Sequence, residues 1–233
     1  GDVMRLLAVL LLTALSSALV ANAAVACTCA TILDNFNRTI EGPPPSASWS
    51  APVANGDASH YVRGNGIGTN TDDTQTSSYW NVTTFGPDVE ACTTLTSVAV
   101  LTLHGPMVRI VNPNNASTAG GYMATALDGT SATRIYRLDG TTYTQLGAAI
   151  STTWANGDAI CIRAVSTTIE AWRKPSGGSW GLLDSRTDST YTAAGYSGVF
   201  SYGGSGAALG DDFGSATIAS TSTENFYKRR SIH

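Results

Sequence analysis

Beyond residue 27 the chain runs as short stretches in which apolar and polar positions alternate, each halted by Gly, Asn, Asp or Pro. Alternation with a period of two is the mark of a half-buried strand. It predicts strands at 31–36, 89–103, 107–111, 122–127, 134–138, 160–165 and 168–173. Their separators are turn formers: Asn112-Pro113-Asn114-Asn115, Asp128-Gly129, Asp139-Gly140, Asn156-Gly157-Asp158 and Ser176-Gly177-Gly178. His60-Tyr61-Val62 leads into Gly64-Asn65-Gly66, a tight-turn signal. The polar run 69–78 reads as an exposed loop. No stretch after residue 27 keeps a 3.6-residue period, so the pattern predicts an all-β sandwich rather than a parallel α/β sheet.

The one sustained apolar run lies before these strands. Met4-Arg5 opens it, Leu6 to Leu15 form its centre, and small residues follow from Ser16 to Ala26. That is the layout of a secretory signal, with cleavage expected after Ala23 or Ala26. The run falls short of the ~20 apolar residues that span a bilayer. Retention as an anchor, or lipid carried on Cys27, are the other fates of such a segment. The expected organisation is an export segment over 1–26, one β-sandwich over 27–219 and a tail over 220–233, in a secreted or cell-surface protein.

Composition narrows the partners. Charged residues are only 13% of the 233, and the net charge is −4. The basic residues form no stripe to neutralise phosphates, which argues against nucleic acid. Four cysteines, Cys27, Cys29, Cys92 and Cys161, would meet an oxidising compartment after export. Cys92 and Cys161 lie in strand-like stretches and form the candidate disulfide. Four cysteines allow three full pairings, and the sequence does not choose among them.

Several segments occur in an order that resembles the concanavalin A-like lectin/glucanase superfamily, of laminin-G-like jelly-roll kind. They are Asp34-Asn35-Phe36-Asn37-Arg38, then Ser78-Tyr79-Trp80-Asn81, Trp154-Ala155-Asn156-Gly157-Asp158, Thr168 to Arg173, and the closing Asp211-Asp212-Phe213. The resemblance covers roughly residues 31–219. It implies two stacked antiparallel sheets, with Phe36 and Phe213 packed in the core of neighbouring first and last strands. It also implies a structural calcium where the termini meet, with Asp34, Asp211 and Asp212 as its carboxylates.

The same fold hosts lectins, hydrolases and structural modules, so function rests on the residues. Retaining glycosidases need two carboxylates about 5 Å apart. The jelly-roll glucanases present theirs as Glu-x-Asp-x-x-Glu on one strand, and no such string occurs here. The histidines, His60, His104 and His233, lack the Gln-x-His setting of jelly-roll lyases. Hydrolase or lyase activity is therefore the less favoured reading.

Glycan binding needs exposed aromatic faces and polar groups to orient hydroxyls. Alternation in 168–173 puts Ile169 and Ala171 inward, leaving Glu170 and Trp172 on the outer face. In 107–111 it leaves Arg109 outward between Val108 and Ile110. In 134–138 either Tyr136 or Arg137 is exposed. Trp172, Glu170, Arg109 and Tyr136 are thus the candidate platform, with a glycan or cell-surface polysaccharide as partner. The rival is a self-assembling structural protein of a surface layer, filament or virion, in which the sheet faces pack against other copies.

Overall fold

The computed structural model describes residues 25–50, 57–69, 75–100, 103–115, 117–126, 131–203 and 207–219. Most of the expected export segment and the expected tail fall outside these residues. Among the described residues no helix is long and apolar enough to cross a membrane.

Among the described residues sixteen strands, numbered here in chain order, form two eight-stranded antiparallel sheets. The first sheet runs β14 (Gly181–Thr187), β13 (Thr168–Lys174), β12 (Ala159–Val165), β6 (Val89–Leu95), β16 (Gly210–Thr217), β4 (Ile67–Gly68) and β3 (Tyr61–Val62), with β1 (Ile32–Asp34) also on β16. The second runs β10 (Thr142–Gln145), β9 (Ala132–Asp139), β8 (Gly120–Ala126), β7 (Leu103–Val111), β15 (Tyr196–Tyr202), β5 (Gln75–Trp80) and β2 (Trp49–Ser50), with β11 (Ile150–Ser151) also on β9. The all-β sandwich expected from alternation is what the chain forms, and its first and last strands lie side by side.

The inner faces meet in one core. Val89, Ala91, Ile160, Ile162, Ile169 and Ala171 come from the first sheet, and Val108, Tyr122, Ala124, Ile135 and Val199 from the second. Phe36 and Phe213 are both fully buried, as expected, with Trp49 against each of them at ring separations of 5.7 and 4.9 Å.

Strand β5 departs from the pattern reading. Gln75 to Ser78 look like loop, yet they pair in register with β15. Their small hydroxyls are buried because polar neighbours meet them. Ser78 Oγ contacts His60 Nδ1 at 3.1 Å, and Ser201 Oγ bridges His60 Nε2 (2.9 Å) and His104 Nδ1 (2.8 Å). Both histidines are fully buried. Gly210 has no Cβ because the His104 ring occupies that place.

Arg109 does not point outward as alternation predicts. It sits in a register shift of β7 with φ +52°, and the extra residue turns its side chain inward. Nε donates to Pro87 O at 2.6 Å, and Nη1 donates to Ser166 O and Tyr191 O at 2.8 and 3.0 Å. Asp88 Oδ1 lies 3.7 Å away. The guanidinium therefore ties three loops at one end of the sandwich. Arg109→Met should cost about 3 kcal/mol in urea unfolding, because three carbonyls lose their donor. A loss below 1 kcal/mol would remove Arg109 from that role.

Candidate functional site

The four expected platform residues go to three different places. Trp172 and Glu170 do face away from the core on β13, as alternation requires. They are nevertheless only 5% and 7% exposed. The cover is the chain's own segment 25–29. Cys27 bonds to Cys161 on β12, and Cys29 bonds to Cys92 on β6. Glu90, also on β6, accepts from Thr28 N, Thr28 Oγ1 and Cys29 N. Arg163 donates to Val25 O. Trp172 packs with these sulfurs, Ala26 and Trp180. Its indole N–H donates to Glu170 Oε2 at 3.1 Å, and the cation beside that carboxylate is Arg163, its direct partner across β12, at 3.5 Å. This face is a buried joint, so the sugar platform proposed for it is overturned.

The same joint corrects two readings of the cysteines. Cys92 and Cys161 do stand directly opposite one another, but neither bonds to the other. The Cys-x-Cys spacing places Cys27 and Cys29 two residues apart in the segment that crosses both strands, so each thiol meets a different strand. Cys27 Sγ, being in a disulfide, has no valence left for a lipid thioether. Cys27, Glu90 and Cys161 are the one group of three with metal-ligand side chains that converge among the described residues. With both sulfurs bonded to each other, they make a staple and not a metal site.

The expected calcium ligands also fail to converge. Asp34 Oδ1 and Oδ2 receive Arg38 at 2.6 and 3.0 Å, and Trp49 Nε1 donates to Oδ2 at 2.8 Å. Burial pushes this carboxyl's pKa up, but Arg38, the Phe36 N–H and Trp49 outweigh it and hold the pKa below the usual carboxylate value. Asp211 is shifted upward by burial and by the charges of Asp212 and Asp34, and its Oδ1 caps the Asp212 N–H. An arginine stands where the cation was expected, and these three residues do not fit a calcium ion.

Tyr136 leads to the remaining candidate. It lies on the outer face of the second sheet with Tyr79, Tyr143, Tyr196, Tyr202 and Phe200, so five of the chain's nine tyrosines share that face. The face is concave. Strands β10 and β15 are four spacings apart, about 19 Å in a flat sheet, yet the Tyr143 and Phe200 rings lie 5.3 Å apart. Only a sheet curled toward this side brings them together. Alternation on β15 sends Ser197, Val199 and Ser201 inward, and Tyr196, Phe200 and Tyr202 into the hollow. Gln75, Leu103, Met123, Tyr136, Tyr143 and Phe200 line a cavity of about 170 Å³ there.

Asp57 bridges two strands of this sheet, β5 and β10. Ser77 Oγ on β5 and the Tyr143 hydroxyl on β10 both donate to Asp57 Oδ2, at 2.6 and 3.1 Å. Oδ1 is buried without a partner. Burial raises the Asp57 pKa, against the pull of the Ser77 and Tyr143 hydrogen bonds. Among the described residues, the strand positions that face the hollow carry no carboxylate. The nearest aromatic signal in the sequence was the spacing Tyr196, Phe200, Tyr202 on one side of a strand, which the reading of separate segments passed over.

Neither a protein-family model nor a curated protein sequence matches the chain. Solved structures match it over most of its length. Carbohydrate-binding module CBM66 from Bacillus subtilis aligns with 73% of this chain and 96% of its own, at TM-score 0.52 and 11% identity. A prokaryotic β-1,3-1,4-glucanase (lichenase) derived from a mouse hindgut metagenome aligns with 80% of this chain and 98% of its own, at TM-score 0.52 and 7% identity. One neighbour is a binding module and the other an enzyme, so at these identities the likeness is one of fold alone. The sandwich has the concanavalin A-like jelly-roll fold.

Proposed function

We propose that this protein is an exported, non-catalytic module that binds a glycan in the concave hollow of its second sheet. The observation that carries the reading is the gathering of five tyrosines and Phe200 on that one curved face. Aromatic faces stack on the apolar C–H side of sugar rings, while tyrosine hydroxyls and Gln75 meet the sugar's own hydroxyls. The lack of a facing carboxylate pair on those strands supports binding without hydrolysis. Two disulfides are at home in an oxidising compartment, which supports export to the cell surface or medium.

A glycan array of the folded protein should give a saturable ligand. Tyr136→Ala and Tyr143→Ala should each weaken it about tenfold, and a chelator should leave it unchanged. Trp172→Ala should lower stability without selective loss of affinity. If binding followed Trp172 and ignored Tyr136 and Tyr143, the hollow would be the wrong face. No glycan binding, with concentration-dependent association of the folded protein, would favour the assembly reading instead.

A further inference from the structure

Phe200 and Met123 stand on the outer face of the second sheet, yet they are only 3% and 1% exposed. The ring over Phe200 is that of Tyr143, at 5.3 Å and a 50° tilt, where aromatic pairs attract. Tyr143 comes from β10, a strand of four residues. Among the described residues β10 pairs with β9 alone and forms one end of the sheet. Both ends of that strand, Thr142 and Gln145, are exposed. Its tie to the far side of the hollow is the Tyr143 hydroxyl, which donates to Asp57 Oδ2 at 3.1 Å. Asp57 is held there by Ser77 of β5, at 2.6 Å. Edge elements with few buried contacts open locally at a free energy well below that of global unfolding. Tyr143 thus covers the cavity that it also lines.

Resting on the concave-face reading, we propose that Tyr143 gates the hollow, so that a glycan enters only when β10 swings away and the Tyr143–Asp57 bond breaks. In the closed form the hydroxyl is latched and the ring caps Phe200. In the open form Phe200 and Met123 are bared, and the Tyr143 ring is free to stack on the sugar instead. β10 has a backbone partner on one side only, so β9 carries the hinge, with Gly140 at φ +62° in the turn between them. Entry is then limited by opening rather than by diffusion.

The test is native-state hydrogen exchange near neutral pH, read by mass spectrometry on the β10 amides with those of β7 as the internal control. The apolar dye anilinonaphthalene sulfonate reports whether the hollow is bared. Tyr143→Phe keeps the ring and removes the latch. It should speed exchange in β10 about tenfold, the scale of one hydrogen bond, leave exchange in β7 as it was, and raise dye fluorescence. In an Asp57→Ala background, where the acceptor is already gone, Tyr143→Phe should add nothing. If Asp57→Ala failed to fold, Tyr143→Phe against the native protein would still carry the test. Unchanged β10 exchange in Tyr143→Phe overturns the latch. Equal acceleration in β7 and β10 overturns the gate, because the bond would then support the whole sandwich. Faster β10 exchange without a gain in dye overturns it too, because the hollow would stay shut. A gate that opens as expected beside a glycan array without a hit overturns the concave-face reading and leaves the gate standing.

Discussion

Replacing Cys27 and Cys161 together by serine should lower the free energy of unfolding by about 3–5 kcal/mol. The bond joins residues 134 apart, and the second bond, Cys29–Cys92, joins residues 63 apart. Loops of that length lose several kcal/mol of unfolded-state entropy when they are closed. The bond also anchors the segment that covers Trp172, so its loss should expose that indole. Guanidinium unfolding followed by tryptophan fluorescence reads both effects, as a lower midpoint and a red shift in the folded baseline. A midpoint within 1 kcal/mol of the native protein, with no shift in emission, would mean that segment 25–29 stays in place without the covalent tie.

The second large effect is acid lability. His60 and His104 lie fully buried, joined through Ser201, and no carboxylate of the described residues bonds to either ring. Burial depresses both pKa values, that of His104 to about 3 and that of His60 well below its usual value, helped by the neighbouring His104. In the unfolded chain each titrates near 6.5. The unfolded state therefore gains protons first as pH falls, and stability is full above about pH 6.5 and is lost below it. By about pH 4.5 the His104 site alone costs on the order of 3 kcal/mol, and His60 acts in the same direction. Asp57 and Asp211, whose pKa values are raised by burial, take up protons in the folded state before the unfolded chain does and act in the opposite direction. Urea midpoints measured from pH 7.5 to 4.5 should fall steeply in native protein and more gently in His104→Gln. A flat profile would show that these rings are not held neutral by the core.

The fold was legible because its strands obey one rule. Ile169 and Ala171 face the core, Glu170 and Trp172 face away, and Phe36 meets the same cluster as Phe213. The site was less legible for three physical reasons. Alternation assigns a residue to a face but does not say what lies on that face. Here the cover for Trp172 comes from residues 25–29, whose small apolar character reads equally well as the end of an export signal. Arg109 occupies a bulge at φ +52° without a glycine to announce it, and one extra residue reverses the expected direction. The hollow depends on the curl of a sheet, which brings Tyr143 to Phe200 across three intervening strands, and no local spacing encodes that curl. Its own strand left Tyr136 as one of two choices with Arg137, whereas its companions Tyr143, Phe200 and Asp57 arrive only through tertiary structure.

The register of β6 and β12 has a chemical consequence. Cys92 and Cys161 are direct cross-strand neighbours, at a spacing that disulfides span. The same sheet can thus carry a different pair of bonds, with Cys92 joined to Cys161 and Cys27 to Cys29. That covalent isomer has the same mass, the same absence of free thiol and nearly the same strands, but no covalent bond fastens residues 25–29 over Trp172, which leaves only the hydrogen bonds of Glu90 and Arg163. Full oxidation is therefore not a criterion of native protein for this chain. Peptide mapping of the bonds, and the shielding of Trp172 from a soluble quencher, distinguish the two forms.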